Sequence, residues 1–324
     1  MKKQSLKNKF ILLGIFSVLL SILTGCEAHQ PKISYTVYPI RFLVERIAGD
    51  KVELEGISDD TLVLRAQVKE GFEDVIKRSD VLMYMGTLEP YIRPHNDVIN
   101  TGNITMIDLT SRSNIYQFGR YVSAIIDGEE RGGYEKYYSN PIFDSIDKYT
   151  NDPYLWMDPI TMTSMASQIR DWLVSVYPEE AETFNANYVA LEMELARLDA
   201  EYQKLKNRST KIKIVTMTPS FGIWQQNYGI AIYPVVISRY GVLPTNQQLQ
   251  LIKQRIIDDE VKYIVREPDL PEDMVRMMNS LANELDLEII DLDSLSTLSE
   301  EEILEGKDYL QIMYKNLTVL ESLE

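Results

Sequence analysis

The chain has 324 residues, 45% of them hydrophobic and 25% charged, which is enough for one or two ordinary cores and unlike a disordered, collagenous or disulfide-stapled chain. With 33 basic against 49 acidic residues the formal charge is −16, a surface that repels a phosphate backbone and excludes nucleic acid as the expected partner. A single cysteine, Cys26, and two histidines, His29 and His95, exclude an internal disulfide, paired-cysteine haem attachment and zinc sites built from four cysteines or from two cysteines and two histidines.

Met1 to Lys9 carries four lysines and no acid, and Phe10 to Leu23 is an apolar run of signal-peptide length, shorter than a full membrane span. It ends in Leu23-Thr24-Gly25-Cys26, which resembles the bacterial lipoprotein box, with small residues before a cysteine that is lipid-modified. The expectation is a signal peptide over 1–25, lipidation at Cys26, a polar tether over 26–32, and an extracytoplasmic domain anchored to a bacterial cell membrane by acyl chains. Loss of residues 1–25 removes four lysines and takes the charge from −16 to −20.

Ile33 to Tyr38 alternates like a strand before Pro39, and Phe42, Leu43, Ile47 and Ala48 follow at helical spacing up to Gly49. Val52 to Ile57 reads as a strand, Phe72 to Arg78 as a helix, Val81 to Gly86 and Thr105 to Leu109 as strands. Ser111 to Thr150, rich in Gly, Tyr, Asp and Ser, reads as a long irregular insertion on the first lobe. Helical spacing then runs from Met162 to Val176, and again from Glu179 to Lys206, where Phe184, Tyr188, Leu191, Leu195, Leu198 and Tyr202 recur without an internal Gly or Pro. Strands at 212–217, 232–237, 263–265 and 287–292 alternate with helices at 221–228, 247–258, 274–284 and 309–323. The fold class expected is α/β: two parallel-sheet lobes, 33–178 and 208–324, joined by a long rigid helix over 179–207.

Tyr38-Pro39 with Arg46-Ile47-Ala48-Gly49-Asp50, Ser79-Asp80-Val81, Met85-Gly86-Thr87-Leu88-Glu89-Pro90, Asp152-Pro153-Tyr154-Leu155-Trp156-Met157-Asp158-Pro159, Val215-Thr216-Met217-Thr218-Pro219-Ser220 and Lys315-Asn316-Leu317 together carry a family resemblance over nearly the whole mature chain. In this order and spacing they resemble the lipoprotein solute-binding components of bacterial ABC importers for zinc and manganese, a family that includes proteins once called adhesins. The resemblance implies a periplasmic-binding-protein-like fold with metal held between the lobes, capture of a solute and its delivery to an ABC permease in the membrane.

The same resemblance implies four ligand positions, and three of them depart from the pattern. The first falls at Leu64, inside the histidine-free stretch 61–65; the second, a histidine in the family block Asp-Pro-His-Val-Trp-Leu-Asp-Pro, is Tyr154; the third, a histidine or glutamate, is Thr218. The fourth is an aspartate and is kept as Asp293. Zinc favours imidazole or thiolate, and a neutral phenol or hydroxyl supplies little charge to offset dehydration of a cation, so high-affinity metal binding is not expected. An oxygen-only site on Asp293, with Asp158 or Glu267, would hold at most a weakly bound divalent cation.

Leu64, Tyr154, Thr218, Asp293 and Glu267 are therefore the expected pocket residues, either for a different solute or as the plug of a former metal cavity. Asp293 has two readings, ligand or cap of the following turn, while Asp152 and Asp158 stand in Asp-Pro pairs that commonly set turns. His95 reads as a solvated loop residue and His29 as tether. No nucleophile elbow, phosphate-cradling loop, dinucleotide fingerprint or His-Glu-x-x-His motif occurs, and no enzyme is expected. The alternative to transport is an adhesin or interaction lipoprotein that keeps the fold without metal.

Overall fold

The computed structural model describes residues 30–58, 62–101, 104–127 and 129–324. Strand β1 (Lys32–Tyr35) is short because Pro39 does not end a strand but sits in the first turn of helix α1 (Tyr38–Ala48), where a missing N–H costs nothing. The strand expected to reach Tyr38 therefore stops at Tyr35. Gly49, at φ 58°, closes the helix.

Then come β2 (Glu53–Gly56), α2 (Phe72–Arg78), β3 (Val81–Tyr84), α3 (Asn96–Thr101) and β4 (Thr105–Asp108). The four strands form a parallel sheet in the order β2-β1-β3-β4, with Ile33 opposite both Leu54 and Val81.

The segment 111–150 is more ordered than its composition implies. It contains an antiparallel ribbon, β5 (Arg120–Ile126) with β6 (Glu129–Glu135). It also leans on the second lobe: Tyr138 donates to the Pro234 carbonyl at 2.8 Å, Gln248 donates to the Ile142 carbonyl at 2.9 Å, and Tyr134 donates to Gln226 at 2.7 Å. No clean alternation marks these strands because the ribbon is largely solvated; Ile125 and Ile126 are exposed.

Helix α4 (Pro159–Val176) leads into α5 (Ala181–Gln203), 23 residues flanked by tight turns at Pro178–Glu180 and Lys204–Asn207. The second lobe follows as β7 (Lys213–Thr216), α6 (Trp224–Tyr228), β8 (Ala231–Pro234), α7 (Asn246–Asp258), β9 (Tyr263–Arg266), α8 (Glu272–Leu285), β10 (Glu288–Asp291), α9 (Glu300–Leu304) and α10 (Tyr309–Ser322). Its sheet is parallel in the order β10-β9-β7-β8.

Helix α5 is anchored on both sides. Arg46 pairs with Glu194 at 2.5 Å and Asn187 donates to the Ile47 carbonyl on the first lobe; Tyr202 donates to the Met313 carbonyl at 2.7 Å, and Tyr228 donates to Asp199 at 3.0 Å, on the second. Leu191, Leu195 and Leu198 are fully buried in one continuous core that includes residues of both sheets. Each such side chain contributes roughly 1.5–3 kcal/mol through burial.

Candidate functional site between and beneath the lobes

The C-terminal ends of β7, β9 and β10 are neighbours in the sheet, so the loops after them converge. They carry Thr218, Glu267 and Asp293. Thr218 donates to Glu267, with Oγ1 at 3.0 and 3.1 Å from the two carboxylate oxygens, and lies 2.5 Å from the Ser220 hydroxyl. Glu267, expected among the pocket residues, is 2% exposed and joins Thr218 in this cluster. Burial pushes its carboxyl above the usual carboxylate range, and the Asp269 charge adds to that, while hydrogen bonds from Thr218, Ser294 and Ser220 oppose it.

Asp293 is fixed at both ends of its backbone by Asn316 of α10, which accepts from its N–H at 2.9 Å and donates to its carbonyl at 2.8 Å. Its Oδ1 accepts the Leu295 N–H at 2.6 Å, across a turn where Leu295 takes φ 57°. The reading of Asp293 as a turn cap thus describes one of its oxygens. The other, Oδ2, receives no donor and faces Glu302; burial first and Glu302 second push the Asp293 carboxyl well up. Glu302 reciprocates the cap of α9, accepting from the Ser299 N–H at 3.0 Å and hydroxyl at 2.8 Å.

Tyr154 enters from the loop between lobes. It is fully buried against Trp156, with ring centroids 5.2 Å apart, and its hydroxyl has no hydrogen-bond partner. Burial, with Tyr149 and Glu267 behind it, raises its pKa well above that of a free phenol. Leu64, in a single tight turn at Val63–Arg65, is also buried, and its neighbour Arg65 reaches across the cleft to the Gly241 carbonyl at 2.6 Å and Asp273 at 2.9 Å. Gly241, at φ 64°, leaves no room for a side chain beside Arg65 and Leu64. Leu64 is thus an apolar wall at the seam between lobes.

The structure brings Tyr154, Thr218, Glu267 and Asp293 into one electrostatic neighbourhood and leaves Asp158 out of it. Asp158 caps α4, accepting from the Thr161 N–H and hydroxyl and from Tyr116. The oxygen-only site that would have drawn on Asp158 therefore lacks that member. Asp152 sets a turn through the Tyr154 N–H at 3.0 Å, and burial raises its pKa to about 7. His95, expected as a solvated loop residue, lies in a turn and is half-buried: its Nδ1 lies 2.9 Å from the Tyr91 carbonyl and its ring meets Phe72 edge-on. Cys26 and His29 lie outside the described residues.

Two members escaped the sequence reading. Asp269, whose carboxylate oxygens are both buried without partners, follows Glu267-Pro268 at the strand exit, a visible pair of acids around a proline. Glu302 looks from sequence like half of a Ser299-x-x-Glu302 capping box, which it also is. Among the described residues, no group of three or more His, Cys, Asp or Glu is arranged to hold a metal ion.

A family model described as "ZnuA: Zinc-uptake complex component A periplasmic" matches residues 33–323. Among curated relatives, the zinc-binding protein AdcA of Streptococcus pyogenes is 24% identical over 301 residues, covering 89% of this chain and 55% of its own, and the zinc-binding lipoprotein AdcA of Streptococcus pneumoniae is 22% identical over 321 residues, covering 96% and 60%. The chain thus spans little more than half the length of these relatives. Among solved structures, the Zn(II)-bound ZnuA-like domain of Streptococcus pneumoniae AdcA superposes with a TM-score of 0.66 at 22% identity, covering 90% of this chain and 98% of that one. The laminin-binding protein Lmb of Streptococcus agalactiae gives 0.69 at 16% identity, covering 90% and 98%. With two parallel four-stranded sheets joined by one long helix and a family match from residue 33 to 323, the chain belongs to the ZnuA family of solute-binding proteins, which are not enzymes.

Proposed function

We propose that this chain is the extracytoplasmic solute-binding lipoprotein of an ABC importer of the zinc and manganese class, anchored at a bacterial membrane through lipidated Cys26 and serving a membrane permease, with a former metal position that does not hold zinc or manganese tightly. One observation carries the second half of this reading. At the three positions where the family resemblance calls for metal donors stand Leu64, Tyr154 and Thr218, buried to 1%, 0% and 0% exposure, and none offers an imidazole, thiolate or carboxylate. Asp293 alone keeps a carboxylate, and one of its oxygens is committed to the Leu295 N–H.

Metal analysis of protein purified without chelator, with titration calorimetry for zinc and manganese, tests this. The expected result is substoichiometric metal and no submicromolar binding. Stoichiometric zinc lost on Asp293→Ala would refute the reading. Mass spectrometry of the mature protein from its host is expected to find an acylated Cys26 as first residue.

The interaction-lipoprotein alternative draws support from the cross-lobe ties. Besides Arg65, Tyr149 donates to the Leu88 carbonyl of the first lobe at 2.9 Å and lies 3.4 Å from the Arg239 carbonyl of the second. A cleft held shut suits a rigid surface better than a solute trap. That alternative gains if no small solute alters the melting temperature.

A further inference from the structure

We propose that a groove on the second lobe binds a zwitterion of amino-acid or dipeptide size, with its ammonium among Glu267, Asp293 and Glu302 and its carboxylate on Lys315. The proposal rests on the reading that the former metal position does not take zinc. The groove encloses about 440 Å³ and is lined wholly by residues 266–316. That is within the roughly 300–1,000 Å³ typical of small-molecule sites.

Its inner wall is acidic and unpaired. Glu267, Asp293 and Glu302 are 2%, 5% and 5% exposed, and none of them forms a salt bridge with a described residue. Asp293 Oδ2 is buried and receives no donor. An ammonium placed among them would offset the cost of keeping buried carboxylates ionised.

The chemistry favours an ammonium over a metal ion. Each acid already spends part of its accepting capacity inside the protein: Glu267 on Thr218, Asp293 on Leu295, Glu302 on Ser299. What remains is residual accepting capacity on the loops after β9 and β10 and on helix α9, with Asp293 Oδ2 the one oxygen of the three acids that is buried without a partner. An ammonium needs three acceptors at ordinary hydrogen-bond length, whereas a dehydrated divalent cation needs a fuller and tighter oxygen shell.

The mouth is mixed in sign, with Asp291 and Glu301 beside three cations. Of its three cations, Arg266 is engaged by Asp291 at 2.6 and 2.9 Å and Lys307 is paired with Glu305, while Lys315 is exposed and forms no salt bridge with a described residue. Lys315 precedes Asn316, the residue that clamps Asp293, so one helix sets both ends of the charge gradient. Leu270, Val275 and Leu292 line the same groove and give an apolar surface to a side chain. A simple anion would be repelled by the acids, whereas a molecule carrying both charges sets its ammonium on them and its carboxylate on Lys315.

The test uses the full mature chain. Each of the twenty common amino acids, and glycyl dipeptides of the strongest responders, is screened by thermal shift and then by titration calorimetry. The best responder is compared with the amine that lacks its carboxylate and the acid that lacks its ammonium. The expected outcome is that both truncated molecules bind at least about tenfold more weakly, close to 1.4 kcal/mol. Lys315→Ala should weaken the zwitterion by a similar factor and leave the amine unchanged, with Lys315→Arg restoring binding, and Asp293→Asn should weaken zwitterion and amine alike. Lys315 is exposed, so its variants keep the test decisive even if Asp293→Asn fails to fold. No responder, or one indifferent to Lys315→Ala, overturns the proposal. Submicromolar zinc binding would instead overturn the reading of the former metal position on which it rests.

Discussion

Tyr154 is a large polar residue with no exposed surface. A phenol fills the space and packs on Trp156, but its hydroxyl is left without a partner among groups that are mostly acceptors or already engaged. Leaving a buried hydroxyl unpaired costs on the order of 1–3 kcal/mol. Tyr154→Phe is therefore expected to stabilise the apoprotein by about 1 kcal/mol, read from the midpoint of urea unfolding at unchanged slope. A loss of stability would mean that the hydroxyl has a partner in solution. At this scale the sequence singled out Tyr154 and Thr218, because each falls inside a recognisable block, and Leu64 by its place in a histidine-free stretch. It did not expose the placement of Asp269 and Glu302, whose neighbours lie on loops far apart in the chain.

Helix α5 is legible from spacing alone, since its buried side chains recur every three or four residues with no breaker between Ala181 and Gln203. The ribbon β5–β6 was not, because exposed strands need no alternation and its tie to the other lobe is a side-chain bond from Tyr134 to Gln226. The strand before α1 was overextended because Pro39 reads equally as a strand stop and as a first-turn helix residue; the helical contacts decide for the latter. Leu195 sits at the middle of α5 with no exposed surface. Leu195→Ala should cost about 2–5 kcal/mol, as other buried leucine truncations do. Because the core is continuous across both lobes, it should lower a single cooperative transition, seen as coincident loss of far-ultraviolet and near-ultraviolet circular dichroism. Two separated transitions would show that the lobes unfold independently.

Over the whole molecule, buried acids dominate the pH response. Burial raises Asp152 to about 7, and it also lifts Glu89, whose Oε2 has no partner although its Oε1 accepts from Thr36 and the Met85 N–H. An acid whose folded pKa lies above its unfolded one keeps its proton better in the native state. Its contribution is complete below the unfolded pKa, near 4, and is lost as pH rises towards the folded pKa. Stability should therefore fall between pH 5 and 8, by at most about 1.4 kcal/mol per pH unit for each such group. Exposed pairs such as Asp273 with Arg65, where the arginine hydrogen bond lowers the carboxyl, act the other way at lower pH and count for little. Melting temperatures across that range, compared with Asp152→Asn, measure this: the variant should flatten the slope below pH 7, and a wild-type curve that rises with pH would contradict the account. The sequence by itself determined the α/β class and the bridging helix, because hydrophobic period and local motifs are properties of neighbouring residues. Only the tertiary structure decided that Glu267 joins Thr218, that Asp158 is a cap, and that an acid-lined groove with a lysine at its mouth opens on the second lobe. Those depend on which strand ends lie side by side, and neighbouring parallel strands are joined by crossovers of about a dozen or more residues, so no local pattern encodes them.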